Sequence, residues 1–499
     1  MAKLEAGLGA DDYQWLPDLL RLEDLGDITT SAPTQFVYTN DRGDTVTVTG
    51  AGFTYSGGRP TGGTINSVVV TNGADTLLTL SLLSDPLKKF ADKLLDDGDP
   101  TGAMRSLFDG DDEFIGSDES DTLAGFSPGD DTVTGGDGSD WLGGDEGKDH
   151  LDGGNDGGFD ILSYSQTYFD KSGKNGIVLK VGKGSVVDPW GDKDTFVNFE
   201  GFWGTRFDDK FIGTGGEEEF ATLGGDDFIN GKGGWDRLDY SHDDDYPGKS
   251  GKKGIKADLV KGEVKDGFGD IDKIKGIESI RGTAYKDVFT GGKKNDAFEG
   301  LDGKDKYDGG KGFDRIEFYS NDFNDGVNGV VIDVSKGKIL DDGYGNTEKF
   351  KSIESFQGTK FGDTFIGGNK DDEFKGEDGN DTMIGGKGAD MFVFNPPPDN
   401  ATNHDVITDF NQAEGDQIAL WTQGGFPQLN TVDGTLDPTL FVANAGGTPT
   451  TADQRIVYDT TTGKLFLDPD GNASSGDQVL IVTLTGAPTI TADAFQVWI

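Results

Sequence analysis

The strongest constraint in this chain is a phase. An acid followed two places later by an apolar residue returns every nine residues at Asp363, Asp372, Asp381 and Asp390, with Phe365, Phe374, Met383 and Phe392 as the apolar partners. The same ruler fits Asp287, Asp296, Asp305 and Asp314, and again Asp209, Glu218, Asp227 and Asp236. A longer, less regular run passes through Asp112, Asp121, Asp131, Asp140, Asp149 and Asp160. Low-complexity sequence does not hold one register over four arrays, and Asp-Gly hairpins have no reason to keep a constant nine-residue phase.

Glycines precede the acid in the clearest copies, as in "GGDGSDWL" from Gly135, "GGKGFDRI" from Gly309 and "GGKGADMF" from Gly385. Glycine permits the positive φ of a tight turn, whose carbonyls then supply oxygen ligands. The residues around the apolar position form a short strand with one side chain inward. Two nonapeptides make one coil, and coils stack as parallel strands about 4.8 Å apart. Acids one coil apart should therefore face each other. The pairs expected to share an ion are Asp121 with Asp140, Asp131 with Asp149, Asp209 with Asp227, Glu218 with Asp236, Asp287 with Asp305, Asp296 with Asp314, Asp363 with Asp381 and Asp372 with Asp390. Carboxylates and carbonyls suit calcium's six to eight flexible ligands better than magnesium's octahedron. Glu218 carries an extra methylene, so the Glu218 and Asp236 site is expected to be weak.

Composition makes a metal staple necessary. Only 33% of the 499 residues are hydrophobic, 81 are glycine, and the formal charge is -47 with a pI near 4.2. Such a chain resembles those that stay disordered in water, and it repels nucleic acid and anionic membranes while attracting cations. With no cysteine, disulfides are impossible, and His150, His242 and His404 give few ligands for zinc or haem.

The nonapeptide GGxGxDxUx resembles the calcium-binding repeat of the repeats-in-toxin (RTX) family. The resemblance implies an all-β fold, a parallel β-roll or β-solenoid loaded with several calcium ions. The segment after residue 395, with "DVITDFNQAEGDQIAL" and the ending "ITADAFQVWI", is similar to the carboxy-terminal region of RTX proteins that leave the cell by type I secretion. That implies an uncleaved signal read by an exporter, and an extracellular or cell-surface destination. The amino terminus lacks the apolar core of a secretory signal peptide, which fits such a route, and no apolar run approaches the roughly 20 residues of a membrane span.

A second period organises the arrays. Asp160, Asp236, Asp314 and Asp390 lie 76, 78 and 76 residues apart, so array plus spacer is a module. Each spacer offers an alternating strand, a lysine turn, an acidic turn and a second strand, in which Glu200, Glu278 and Glu354 keep the nine-residue ruler. The spacers read as calcium-poor coils, with these glutamates in structural roles. The expected boundaries are a flexible leader at 1–30, a small β module with a capping helix at 31–106, the calcium-binding solenoid at 107–394 and a β-rich secretion region at 395–499. Leu87, Phe90, Ala91, Leu94 and Leu95 mark the helix, with Ser84 as its cap and Pro86 in its first turn, placed to cover the open end of the solenoid. Asp468 and Asp470 in "DPDG" fit either a further calcium site or a type I turn.

Catalytic signatures are missing: there is no HExxH and no GxSxG, and "GKS" at Gly248 lacks the first P-loop glycine. The sequence therefore reads as a non-enzymatic protein, and the family resemblance implies contact with a cell surface or the surrounding matrix, extracellular polysaccharide among the partners. The competing reading is a polysaccharide lyase or epimerase on a parallel β-helix, with Tyr164, Tyr168, Lys171 and His242 lining a groove.

Overall fold

A computed structural model describes residues 3–6, 28–40, 43–56, 59–73, 75–81, 83, 85–95, 107–108, 110–125, 128–165, 173–243, 251–319, 326–399, 402–429, 434–471 and 478–499. The chain forms two compact units, Met1–Asp239 with Tyr246–Gly248 and Asp270–Ile277, and Tyr240–Asp245 with Lys249–Gly269 and Glu278–Ile499.

The first unit opens with an antiparallel meander of valine- and threonine-rich strands, Ile28–Ala32, Gln35–Thr39, Thr45–Ser56, Arg59–Asn72 and Asp75–Ser81. Lys3–Ala6, expected as flexible leader, is a strand. It pairs antiparallel with Asp75–Ser81 on one edge and parallel with Glu113–Ile115, the first coil, on the other. The helix Leu87–Leu95 buries Leu87, Phe90 and Ala91 but packs on Arg59–Asn72, not on the solenoid end. A strand is the better cover there, because the edge of the first coil presents unpaired N–H and C=O groups that a helix cannot satisfy. Pro86 belongs to a two-residue strand before the helix. Ser84 and the side chains of Leu94 and Leu95 lie outside the described residues.

Two parallel ladders follow. One stacks Glu113–Ile115, Thr132–Thr134 and His150–Asp152; the other stacks Thr122–Ala124, Trp141–Gly143, Ile161–Ser163, Gly201–Trp203, Glu219–Ala221 and Arg237–Asp239. Each strand is three residues long because turns of six residues leave no more, and its middle residue is buried: Phe114, Leu123, Val133, Leu142, Leu151 and Leu162. Register keeps like on like, so Phe202 stacks on Phe220 with ring centroids 5.9 Å apart.

The spacer differs from its expected form by one strand. Val178–Lys180 runs forward to lie against Lys210–Ile212, Ser185–Val187 turns back, and Lys193–Val197 returns to His150–Asp152. The spacer is thus a three-stranded antiparallel meander in one sheet, while Gly201–Trp203 carries the other sheet onward without interruption. The middle strand hides in sequence because it is only three residues between two turns.

The second unit repeats the plan. Its spacer Val331–Asp333, Lys338–Asp341 and Glu348–Lys351 is the same meander, with Val331–Asp333 parallel to Thr364–Ile366. Its ladders do not stop near residue 395. Asp405–Ile407 stacks on Thr382–Ile384 and Gln417–Trp421 on Met391–Phe394, and then Val479–Leu484 and Phe495–Trp498 add a further layer. The buried column Phe356, Phe374, Phe392 and Phe410 crosses this junction at spacings of 6.1, 6.2 and 6.1 Å. The carboxy-terminal region is therefore built on the solenoid, without the glycine turns. Among the described residues no helix is long and apolar enough to cross a membrane.

Candidate calcium sites

Every ladder acid is the last residue of a turn and is buried, with Asp131, Asp140 and Asp149 only 2%, 1% and 2% exposed. The structure joins the expected pairs by one repeated bond, in which the backbone N–H of the lower acid donates to Oδ1 of the acid one coil above. Distances are 2.8 Å for Asp121 to Asp140 and Asp131 to Asp149, 2.7 Å for Asp209 to Asp227, Asp287 to Asp305 and Asp363 to Asp381, 2.9 Å for Asp296 to Asp314 and Asp372 to Asp390, and 3.1 Å for Glu218 to Asp236. Asp112 donates to Asp131 and Asp140 to Asp160, both at 2.8 Å.

The second carboxylate oxygen divides the acids into two kinds. In the closed turns, the N–H four residues before the acid donates to it: Ser117 to Asp121, Thr205 to Asp209, Thr214 to Glu218, Thr283 to Asp287, Gly292 to Asp296, Thr359 to Asp363 and Gly368 to Asp372. Threonine hydroxyls add a bond at Asp209, Glu218, Asp287 and Asp363. Glu218 thus accepts the same turn bonds as its aspartate counterparts, while its bond to Asp236 is the longest of the eight pairs.

In the open turns that fourth residue is left-handed, which turns its N–H away. The positions are Gly136, Asp145, Leu223, Lys232, Leu301, Gly310, Glu377 and Gly386, with φ from 62° to 119°. Five of these eight are not glycine, so the conformation carries a backbone cost that something else must offset. At Asp131, Asp140, Asp149, Asp305, Asp314 and Asp381, Oδ2 is buried and meets no hydrogen-bond donor.

Around these oxygens the turns are lined with carbonyls. A Cβ on Gly135 would collide with Asp140 Oδ2, one on Gly136 with the Ser117 carbonyl, and one on Gly154 with the Gly136 carbonyl. At these three positions glycine keeps the cradle of oxygens open, and oxygen donors fit a hard cation. Among the described residues no three carboxylates or histidines converge, so an ion there would be held mainly by carbonyls with one or two carboxylates.

Other acids continue the columns beyond the nine-residue ruler. Asp194 accepts the Asp149 N–H at 3.0 Å, Asp272 that of Asp227 at 3.1 Å and Glu348 that of Asp305 at 3.1 Å. Asp405 accepts from Asp381 at 2.8 Å and Asp416 from Asp390 at 3.1 Å. Their signal was present, since Phe196, Ile274, Phe350, Ile407 and Ile418 stand two places after them, but the meander and the longer final turns break the spacing. Glu200 and Glu354 accept the Asp160 and Asp314 N–H groups, and Glu278 pairs with Lys294 at 2.8 Å. Asp468 accepts the Gly471 N–H as in a tight turn.

Of the residues that could line a catalytic groove, Tyr164 is fully buried and donates to Asp194 Oδ2 at 2.6 Å. Tyr168, Lys171 and the "GKS" at Gly248 lie outside the described residues.

The profile of the RTX calcium-binding nonapeptide repeat matches four stretches, 127–159, 203–246, 281–316 and 357–392. The chain carries RTX calcium-binding repeats, and calcium is their ligand. No curated protein matches the chain. Among solved structures it is similar to the extracellular lipase LipA of Serratia marcescens at 16% identity and a TM-score of 0.17, over 78% of this chain and 40% of that one. This chain thus spans well under two thirds of that protein.

Burial is the main force that pushes the column carboxyls up, to about 8 at Asp131, about 7 at Asp140 and about 9 at Asp149, with neighbouring carboxylates adding to it. Burial first, and Glu348 next, raise Asp305 in the same way. A carboxyl whose folded value lies above its unfolded one stabilises the fold below the unfolded value and loses that contribution as pH rises through the folded one. In chelator, β content by circular dichroism should therefore be greater at pH 5 than at pH 9; equal content at both would mean the acids are solvated. A second test separates the two kinds of turn. Asp381→Asn should lower the calcium bound at saturation, measured by equilibrium dialysis. Asp363→Asn should leave bound calcium unchanged and cost about 1–3 kcal/mol through the lost Thr359 bonds. Equal calcium loss in both variants would contradict the division.

Proposed function

We propose that the chain is a secreted, non-catalytic β-roll that folds on calcium outside the cell and works as an adhesion or contact protein at the cell surface or in the surrounding matrix. The observation that carries this is the set of buried carboxylate oxygens without donors in the open turns, which a bound cation would satisfy in the ionised state. Calcium-sensor and buffer sites bind far below millimolar, whereas extracellular calcium modules work near 10⁻⁴–10⁻³ M, which suits a chain kept open inside the cell. Residues 107 to 394 are the calcium-dependent part, and the eighteen ladder acids line its columns.

Export through the carboxy-terminal region by a type I exporter is supported by its RTX-like sequence. Absence of catalysis is supported by the missing hydrolase motifs and by the burial of Tyr164, one of the two tyrosines considered for a groove. A passenger protein fused to residues 395–499 should leave cells that carry a matching exporter, and the chain ending at residue 394 should stay inside. Export of the shortened chain at the level of the full one would overturn the assignment.

A further inference from the structure

One outward face of the first unit gathers lysines in this acidic protein. In the first unit, Val178–Lys180, Lys210–Ile212, Phe228–Asn230 and Ile271–Lys275 are adjacent parallel strands, in register Val178, Lys210, Phe228, Lys273 and Lys180, Ile212, Asn230, Lys275. Between these rows Leu179, Phe211, Ile229 and Ile274 point into the core. Both rows therefore face outward. They hold four lysines and no acid, in a chain with 91 acids against 44 basic residues. Phe228 is 39% exposed at the centre, with Lys210 Nζ 5.5 Å from its ring centroid.

We infer that this face binds an anionic polysaccharide. The inference rests on the extracellular-contact reading and names its ligand class. Lys210 and Lys273 stand one strand to either side of Phe228, about 5 Å per step. That places two cations beside an exposed aromatic face, which can stack on a sugar ring while the ammonium groups meet its carboxylates or sulfates. The strip is two residues wide and is edged by the exposed Asp208, Asp226 and Asp270 at the strand starts. A single narrow chain avoids those acids, whereas a nucleic-acid duplex or an anionic membrane would meet them together with the net charge of -47. The second unit, taken by itself, shows a similar row, Lys256, Val288, Lys306 and Lys349.

The probe is dextran sulfate, with unsulfated dextran of equal length and duplex DNA as controls, titrated against the calcium-loaded full chain. Dextran sulfate should bind and weaken with salt, dextran should not bind, and DNA should bind at least tenfold less tightly. The double variant Lys210→Gln/Lys273→Gln should lose about tenfold in affinity, and Phe228→Ser a smaller factor, with calcium-dependent folding by circular dichroism unchanged. Unchanged affinity in the lysine variant would overturn the inference and assign any binding to calcium bridges. DNA binding as tight as dextran sulfate, or no dextran sulfate binding at low salt, would also overturn it. Because calcium-dependent folding and export are read separately, such a failure leaves the reading of a calcium-folded secreted protein standing.

Discussion

One hydrogen bond organises the columns: a backbone N–H reaching up to the Oδ1 of the acid in the next coil. It fixes each carboxylate in place and commits one of its two oxygens. What happens to the other oxygen then depends on a single backbone dihedral four residues earlier. A residue without positive φ there closes the turn with its own N–H, and a left-handed one turns its N–H away from the oxygen. In the proposed calcium sites, affinity and fold would be set by the same atoms, because the bond that aligns the coil also fixes the carboxylate.

The consequence is a solenoid whose interior and edge need different supports. Inside, one apolar side chain per strand is buried, and in the second unit phenylalanine stacks on phenylalanine along a column. At the turns, burial pushes the carboxyls towards neutrality, and neighbouring carboxylates add to it. Glycine-rich turns forfeit about 1–2 kcal/mol of backbone entropy per residue, which small inward side chains recover only in part. A ligand held only by the folded state supplies the difference by mass action.

Much of this was legible in the residues. The acid-x-apolar phase located eighteen of the acids that stand in the columns, and the glycines before many of them marked the turns. The missed parts share a physical cause, which is that non-local pairing rather than local spacing decides them. Asp194, Asp272, Glu348, Asp405 and Asp416 take column positions through hydrogen bonds across longer stretches of chain, and Lys3–Ala6 becomes a strand only because the first coil offers it an edge. The division between open and closed turns was also out of reach by residue type alone, since Leu301 and Glu377 adopt the left-handed conformation that Gly292 and Gly368 do not.

The central claim is that calcium completes the fold, and the most direct measurement is circular dichroism with hydrodynamic radius during a calcium titration from chelator at neutral pH. The account predicts little β signal and an expanded chain without metal, a cooperative gain of β signal with contraction as calcium approaches millimolar, and a far weaker response to magnesium at equal concentration. Native β content in chelator, with no contraction when calcium is added, would contradict it.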